Sequence, residues 1–248
     1  MNALDDEKHR VIGVYGPSGV GKSWLLEQIE KRIRSEKRLF DVIAKATVSQ
    51  TWELKNIQED IAYAFSLDLN NVPSKVGRAD LLLKRLQMEL KSKQKILVML
   101  DDMQEELDLK AVGIPSGDES AGCKLLLTSR YKDVLQAKMS AKPTFRVEDL
   151  KDDEALRLFE KTVGDKLEDD KELKAIPPQV VKKLAGLPLL IISVASTLKD
   201  SNVYAWRNAL INIEESNVEA IVKLSYHHLK SEDTKTLFLL CGLIGGNL

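Results

Sequence analysis

Two spacings of apolar residues alternate along the first part of the chain. Predominantly apolar runs, the strand candidates, fall at residues 11–15, 42–48, 96–100, 124–128 and 144–147. Between them the apolar positions recur every three or four residues, as in Leu25, Leu26, Ile29 and Ile33. The same holds for Ile57, Ile61, Ala64 and Phe65, and for Leu81, Leu82, Leu86 and Leu90. Such runs suit strands buried on both faces of a parallel sheet, and the recurring stripes suit helices that cover it. The alternation predicts an α/β architecture. From residue 152 onward no strand is expected. Helical segments are predicted at 152–163, 170–184, 187–198 and 203–213. Asp152 and Asp153 stand where a helix start favours acids, and Pro177 and Pro178 interrupt the second segment, which can begin again at Pro178. The change of class near residue 149 predicts a domain boundary.

The first apolar run leads into Gly16-Pro17-Ser18-Gly19-Val20-Gly21-Lys22-Ser23, and the amphipathic segment 24–33 follows. A G-x-x-x-x-G-K-[ST] pattern between a strand and a helix is a phosphate-binding loop. Glycines let successive N–H groups point into one concavity, and the helix start adds its orphan donors and positive dipole end. Lys22, expected on an exposed loop edge, would reach the β- and γ-phosphates, and the Ser23 hydroxyl would ligate Mg²⁺. The competing reading is a glycine turn that happens to carry a lysine.

The run 96–100 ends in Asp101 and Asp102. In a parallel sheet, ligands bind at the carboxyl ends of strands, and two acids there fit phosphate-bound Mg²⁺. Asp101 is the candidate metal partner, and Asp102 the candidate for polarising an attacking water. The alternative is a surface turn after a core strand. The next run ends in Thr128-Ser129-Arg130. Arg130 would emerge on the edge that carries Lys22 and Asp101, where a guanidinium could touch the γ-phosphate.

Composition narrows the field. The 248 residues are 44% hydrophobic and 30% charged with a formal net charge of −1, so no broad footprint for nucleic acid or an anionic membrane is expected. The basic cluster Lys31, Arg32, Arg34, Lys37 and Arg38 and the acidic stretch 165–172 read as solvated helix ends. Cys123 and Cys241 lie far apart and are expected as buried, reduced thiols. The polar start, residues 1–10, does not read as a signal peptide, and the longest apolar stretch, 184–194, is too short to cross a bilayer. A soluble, cytoplasmic chain is expected. No guanine-reading Asn-Lys-x-Asp segment and no hydrolase triad is evident, and His227 and His228 read as surface residues.

These motifs, in this order, resemble the NB-ARC module of plant nucleotide-binding leucine-rich-repeat disease resistance proteins. Leu100-Asp101-Asp102-Met103 is similar to the family's Leu-Asp-Asp-Val step, and Leu127-Thr128-Ser129-Arg130 to its Thr-Thr-Arg segment. Gly186-Leu187-Pro188-Leu189 matches its Gly-Leu-Pro-Leu motif, whose proline, here Pro188, is taken to contact adenine. Residues 222–229 resemble its Leu-x-Leu-Ser-Tyr-Asp-x-Leu segment, and 238–241 the cysteine-containing stretch beyond.

The resemblance implies a P-loop nucleotide-binding domain over 1–149, a helical subdomain over 150–215 and the beginning of a winged-helix subdomain over 216–248. It implies an ADP/ATP-binding switch with slow Mg²⁺-dependent hydrolysis, oligomeric when ATP-bound, working with N-terminal signalling and leucine-rich-repeat domains or partner proteins. A constitutive ATPase and a degenerate interaction module are the alternatives. Trp24 replaces a threonine that touches the α-phosphate in the family, and Leu190 replaces an alanine after the proline motif. The chain is also expected to lack the family's upstream adenine-contacting segment and most of its winged helix.

Overall fold

The computed structural model describes residues 1–36, 39–48, 52–116, 120–164, 174–213, 226 and 231–245. They belong to two compact units, Met1–Val147 and Glu148–Leu248.

In the first unit the elements run α1 (Asn2–Asp5), β1 (Val11–Tyr15), α2 (Lys22–Glu36), β2 (Val42–Thr47), α3 (Leu54–Tyr63), α4 (Lys75–Lys91), β3 (Ile96–Met103), α5 (Leu109–Val112), β4 (Cys123–Ser129) and β5 (Thr144–Arg146). A π-helical turn, Val134–Lys138, separates β4 from β5. The five strands are parallel in the order β2-β3-β4-β1-β5. From Ile96 to Leu100 β3 is wholly buried, as a central strand covered on both faces must be. Its side chains alternate. Val98 and Leu100 pack with Ile57, Ile61, Leu82 and Leu86 of α3 and α4. Leu97 and Met99 pack with Leu26 and Ile33 of α2 on the opposite face. The helical stripe of α2 thus meets one face, while its basic end stays exposed and paired within the helix, Arg32 with Glu36 and Arg34 with Glu30.

The second unit contains α6 (Asp152–Val163), α7 (Pro177–Lys183), α8 (Pro188–Lys199), α9 (Val203–Asn212) and α10 (Glu232–Gly245). Prolines open both α7 and α8, where the missing N–H would have no intrahelical partner anyway. Trp206 organises the core. Its ring is fully buried and meets Phe159 edge to face at 5.9 Å, and its indole N–H donates to Leu198 O at 3.0 Å. Lys183 Nζ donates to Leu210 O and Ile213 O, both at 2.9 Å, supplying donors for the orphan carbonyls at the end of α9.

Gly186 shows why glycine precedes the Leu-Pro-Leu step. Its φ is +67°, and a Cβ would lie 2.2 Å from Leu150 O, whose own N–H donates to Gly186 O at 2.9 Å. Gly186→Ala should therefore cost about 2 kcal/mol or more, combining left-handed strain with a backbone clash. Thermal unfolding of the variant, with the midpoint several degrees below wild type, is the expected result.

Several element ends differ from the apolar pattern for physical reasons. Helix α2 begins at Lys22, because the phosphate-binding loop itself delivers the first turn. Strand β3 continues beyond Leu100 to Met103, because hydroxyl groups on β4 take over the pairing. Helix α7 starts at Pro177. The acidic stretch 165–172, His227, His228 and most of the segment 216–230 lie outside the described residues, as does the side chain of Cys241.

Candidate functional site

The strand registers place the candidate residues on one sheet edge. Tyr15, the end of β1, lies beside Ser129 of β4, and Met103 of β3 lies on the other side of Ser129. Gly16, Asp101, Asp102 and Arg130 therefore all follow from the carboxyl ends of neighbouring central strands. Such an edge is where parallel sheets bind ligands.

Gly19 and Gly21 take φ of +78° and +101°, the left-handed values that curl the loop between β1 and α2. Gly16 faces a second constraint, since a Cβ there would stand 2.7 Å from Val147 O. Val20 is buried and anchors the loop, while Pro17, Ser18 and Ser23 are exposed. Trp24 is 64% exposed in the first turn of α2.

Lys22 departs from the expectation of an exposed position. It is only 8% exposed. Its ammonium folds back over the loop and donates to Gly16 O at 2.8 Å and Pro17 O at 2.9 Å. Two of its three N–H bonds are so used, which leaves one for an anion. Burial lowers its pKa. Asp102 and Asp101 oppose the shift and Arg130 adds to it, so all three charges lie within electrostatic reach of the amine.

Leu100 pairs with Leu127, and Met103 with Ser129, so two residues of β3 face the single residue Thr128 of β4. This is a bulge, and Asp102 takes φ +57° to make it. Thr128, fully buried, closes it. Its hydroxyl donates to Asp101 Oδ1 in a short bond and accepts the Asp102 N–H at 2.9 Å. Ser129 Oγ donates to Met103 O at 2.6 Å and accepts the Tyr131 N–H at 3.0 Å. Asp101 is 6% exposed. Arg130 Nε lies 3.6 Å from Asp102 Oδ1, with both side chains partly exposed. Thr128 and Ser129 stand in the sequence as letters of a motif, and the signal of their role is two hydroxyl residues ending an otherwise apolar strand.

Pro188 belongs to the second unit, at the first position of α8, and is half-buried. Leu190, two residues on, is buried in that unit's core. Among the described residues, no cluster of three His, Cys, Asp or Glu side chains could hold a metal ion. The donors at the sheet edge are a carboxylate and hydroxyls, hard oxygen ligands that fit Mg²⁺ shared with phosphate and water. Cys123 is buried, which pushes its thiol up to about 11. No described helix is long and apolar enough to cross a membrane.

A family model described as the NB-ARC domain matches residues 1–169. Disease resistance protein At4g27190 of Arabidopsis thaliana is 32% identical over 254 residues, covering 98% of this chain and 25% of the relative. Disease resistance protein SUMM2 of the same plant is 29% identical, covering 97% of this chain and 28% of the relative. The chain thus spans about a quarter of the length of the curated relatives it matches. Among solved structures, the Aeropyrum pernix ORC2 protein in ADPNP–ADP complexes aligns with TM-score 0.53 at 18% identity, over 92% of this chain and 64% of that one. CDC6P from Pyrobaculum aerophilum aligns with TM-score 0.55 at 14% identity, over 94% of this chain and 65% of that one. At such identities they speak for the fold alone, a parallel sheet flanked by helices. With the loop, the two acids and the arginine on one edge of that fold, and the family model matching residues 1–169 of 248, the chain belongs to the NB-ARC family.

Proposed function

We propose that this chain is the adenine-nucleotide-binding switch module of a plant innate immune receptor. The observation that carries the reading is the convergence of Lys22, Asp101, Asp102 and Arg130 at the carboxyl edge of the sheet, beside a glycine loop with left-handed turns. Residues 16–24 cradle the phosphates through backbone N–H groups and the start of α2. Trp24 contributes there by its N–H, because its ring faces solvent. Lys22 gives its remaining N–H to phosphate, and Arg130 neutralises the terminal phosphate. Ser23 and Asp101 would hold Mg²⁺, which would supply charge neutralisation to the bound nucleotide. Asp102 accepts a proton from the attacking water. Pro188 contacts adenine. In this reading residues 1–149 form the nucleotide-binding part, 150–215 the helical part, and 216–248 begin a winged helix. The disease resistance proteins among the relatives, and the ADP and ADPNP complexes named for ORC2, support the assignment.

A switch holds its product, whereas a constitutive ATPase releases it. With excess ATP and Mg²⁺, the multiple-turnover rate is expected to lie well below about 1 per second, with ADP retained on the protein. Rapid, sustained release of ADP would replace the switch by ordinary turnover.

Asp101→Asn keeps an acceptor for Thr128 but removes the charge. Affinity measured in EDTA should stay at the wild-type level, while the strengthening by Mg²⁺ falls about tenfold. Calorimetry with and without the metal checks this.

A further inference from the structure

We propose that Thr128 is a positioning residue that sets both carboxylates, Asp101 toward the metal and Asp102 toward the water, through one hydroxyl. The inference rests on the nucleotide reading above and extends it to a residue that touches neither phosphate nor metal. Its ground is the bulge. Two residues of β3 oppose one of β4, so the regular ladder cannot satisfy both. Asp102 must take a left-handed φ of +57°, a strained value for a residue other than glycine. A bulge of this kind leaves one strand N–H without its ladder partner. Here that group is the Asp102 N–H, and Thr128 Oγ1 accepts it at 2.9 Å. The same hydroxyl must then direct its own proton elsewhere, and it donates to Asp101 Oδ1. Its donor and acceptor roles are thereby both fixed.

Two consequences follow. Asp101 Oδ1 is held by Thr128, which leaves Oδ2 as the oxygen without this bond and available to a metal. Asp102 is held by its backbone, which leaves its carboxylate free to meet Arg130 or water. Ser129 clamps the next step, binding Met103 O and the Tyr131 N–H, so the chain leaves β4 toward Arg130 in a fixed direction. A single hydroxyl with no exposure to solvent thus couples the metal-facing acid to the water-facing acid.

The test compares Thr128→Val, which keeps the shape and removes the hydroxyl, with Thr128→Ser, which keeps the hydroxyl. Hydrogen exchange of the Asp102 amide in the protein without nucleotide should rise about tenfold or more in the valine variant and return near wild type in the serine variant. Nucleotide affinity in EDTA should be unchanged in both. With Mg²⁺, the valine variant should lose about tenfold in affinity and about tenfold in hydrolysis rate, and serine should restore both. Unchanged amide exchange in Thr128→Val would overturn the proposal, whatever the nucleotide does. Raised exchange with undiminished Mg²⁺-dependent binding and hydrolysis would also overturn it, leaving the hydroxyl a purely structural staple. Absence of nucleotide binding by the wild-type chain is a separate result: it removes the functional reading itself, while the exchange measurement still reports on the bulge.

Discussion

Lys22→Ala should abolish tight nucleotide binding, with affinity for ADP falling about 10- to 100-fold in calorimetry. A charge-assisted bond to phosphate is worth roughly 1.5–3 kcal/mol, which gives that range. The buried position of Lys22 adds a second effect. Its ammonium also ties Gly16 O and Pro17 O together, so the alanine variant loses the two bonds that close its own loop. Lys22→Met loses the same two bonds together with the charge but keeps most of the apolar stem, so comparing it with alanine separates lost packing from the lost ammonium. Both variants should remain folded, because the sheet beneath the loop is built from Ile12, Val14 and Leu126, which they do not touch. Wild-type affinity in either variant would show that phosphate does not bind here.

The second large effect is expected at Asp102. Replacing a positioned general base typically costs 10²–10⁴-fold, and Asp102→Asn should slow ATP hydrolysis by about 10²-fold or more. Asparagine is the suitable replacement because it tolerates the left-handed φ of +57° about as well as aspartate does. The variant therefore keeps the bulge and the backbone bond to Thr128. It loses the pairing with Arg130, but at 3.6 Å between partly exposed groups that contact is worth only about 0–1 kcal/mol. ATP affinity should accordingly stay close to wild type. Single-turnover hydrolysis, measured beside equilibrium ATP binding, separates the two effects. An unchanged rate would remove Asp102 from the reaction.

Much of this arrangement is legible in the sequence, and the limits are instructive. The central strands announce themselves because burial on both faces demands apolar runs, as in Ile96 to Leu100, whereas the short, largely exposed β5 (Thr144–Arg146) gives a weaker signal. The phosphate-binding loop is legible because glycine, lysine and serine each have a separate physical task at fixed spacing. The acids at the end of β3 and the arginine after β4 follow once those strands are placed side by side. The bulge is not legible. It depends on a two-against-one register between strands far apart in sequence, and no local pattern encodes that register. The role of Thr128 is hidden with it. The burial of Lys22 is hidden for a related reason, since a lysine ordinarily stays exposed and only the curled loop supplies carbonyls for its ammonium. The short helices α1 and α5 and the turn Val134–Lys138 contain too few residues to show a period.

The central claim is that the carboxyl edge of this sheet holds an adenine nucleotide, and titration calorimetry of the purified chain with ADP and Mg²⁺ tests it most directly. Denaturing the protein first, and separating any nucleotide it carries by chromatography, identifies what it already holds. Saturable ADP binding that Lys22→Ala removes is the predicted result. A wild-type chain that carries no nucleotide and gives no saturable binding with ADP or ATP would contradict it.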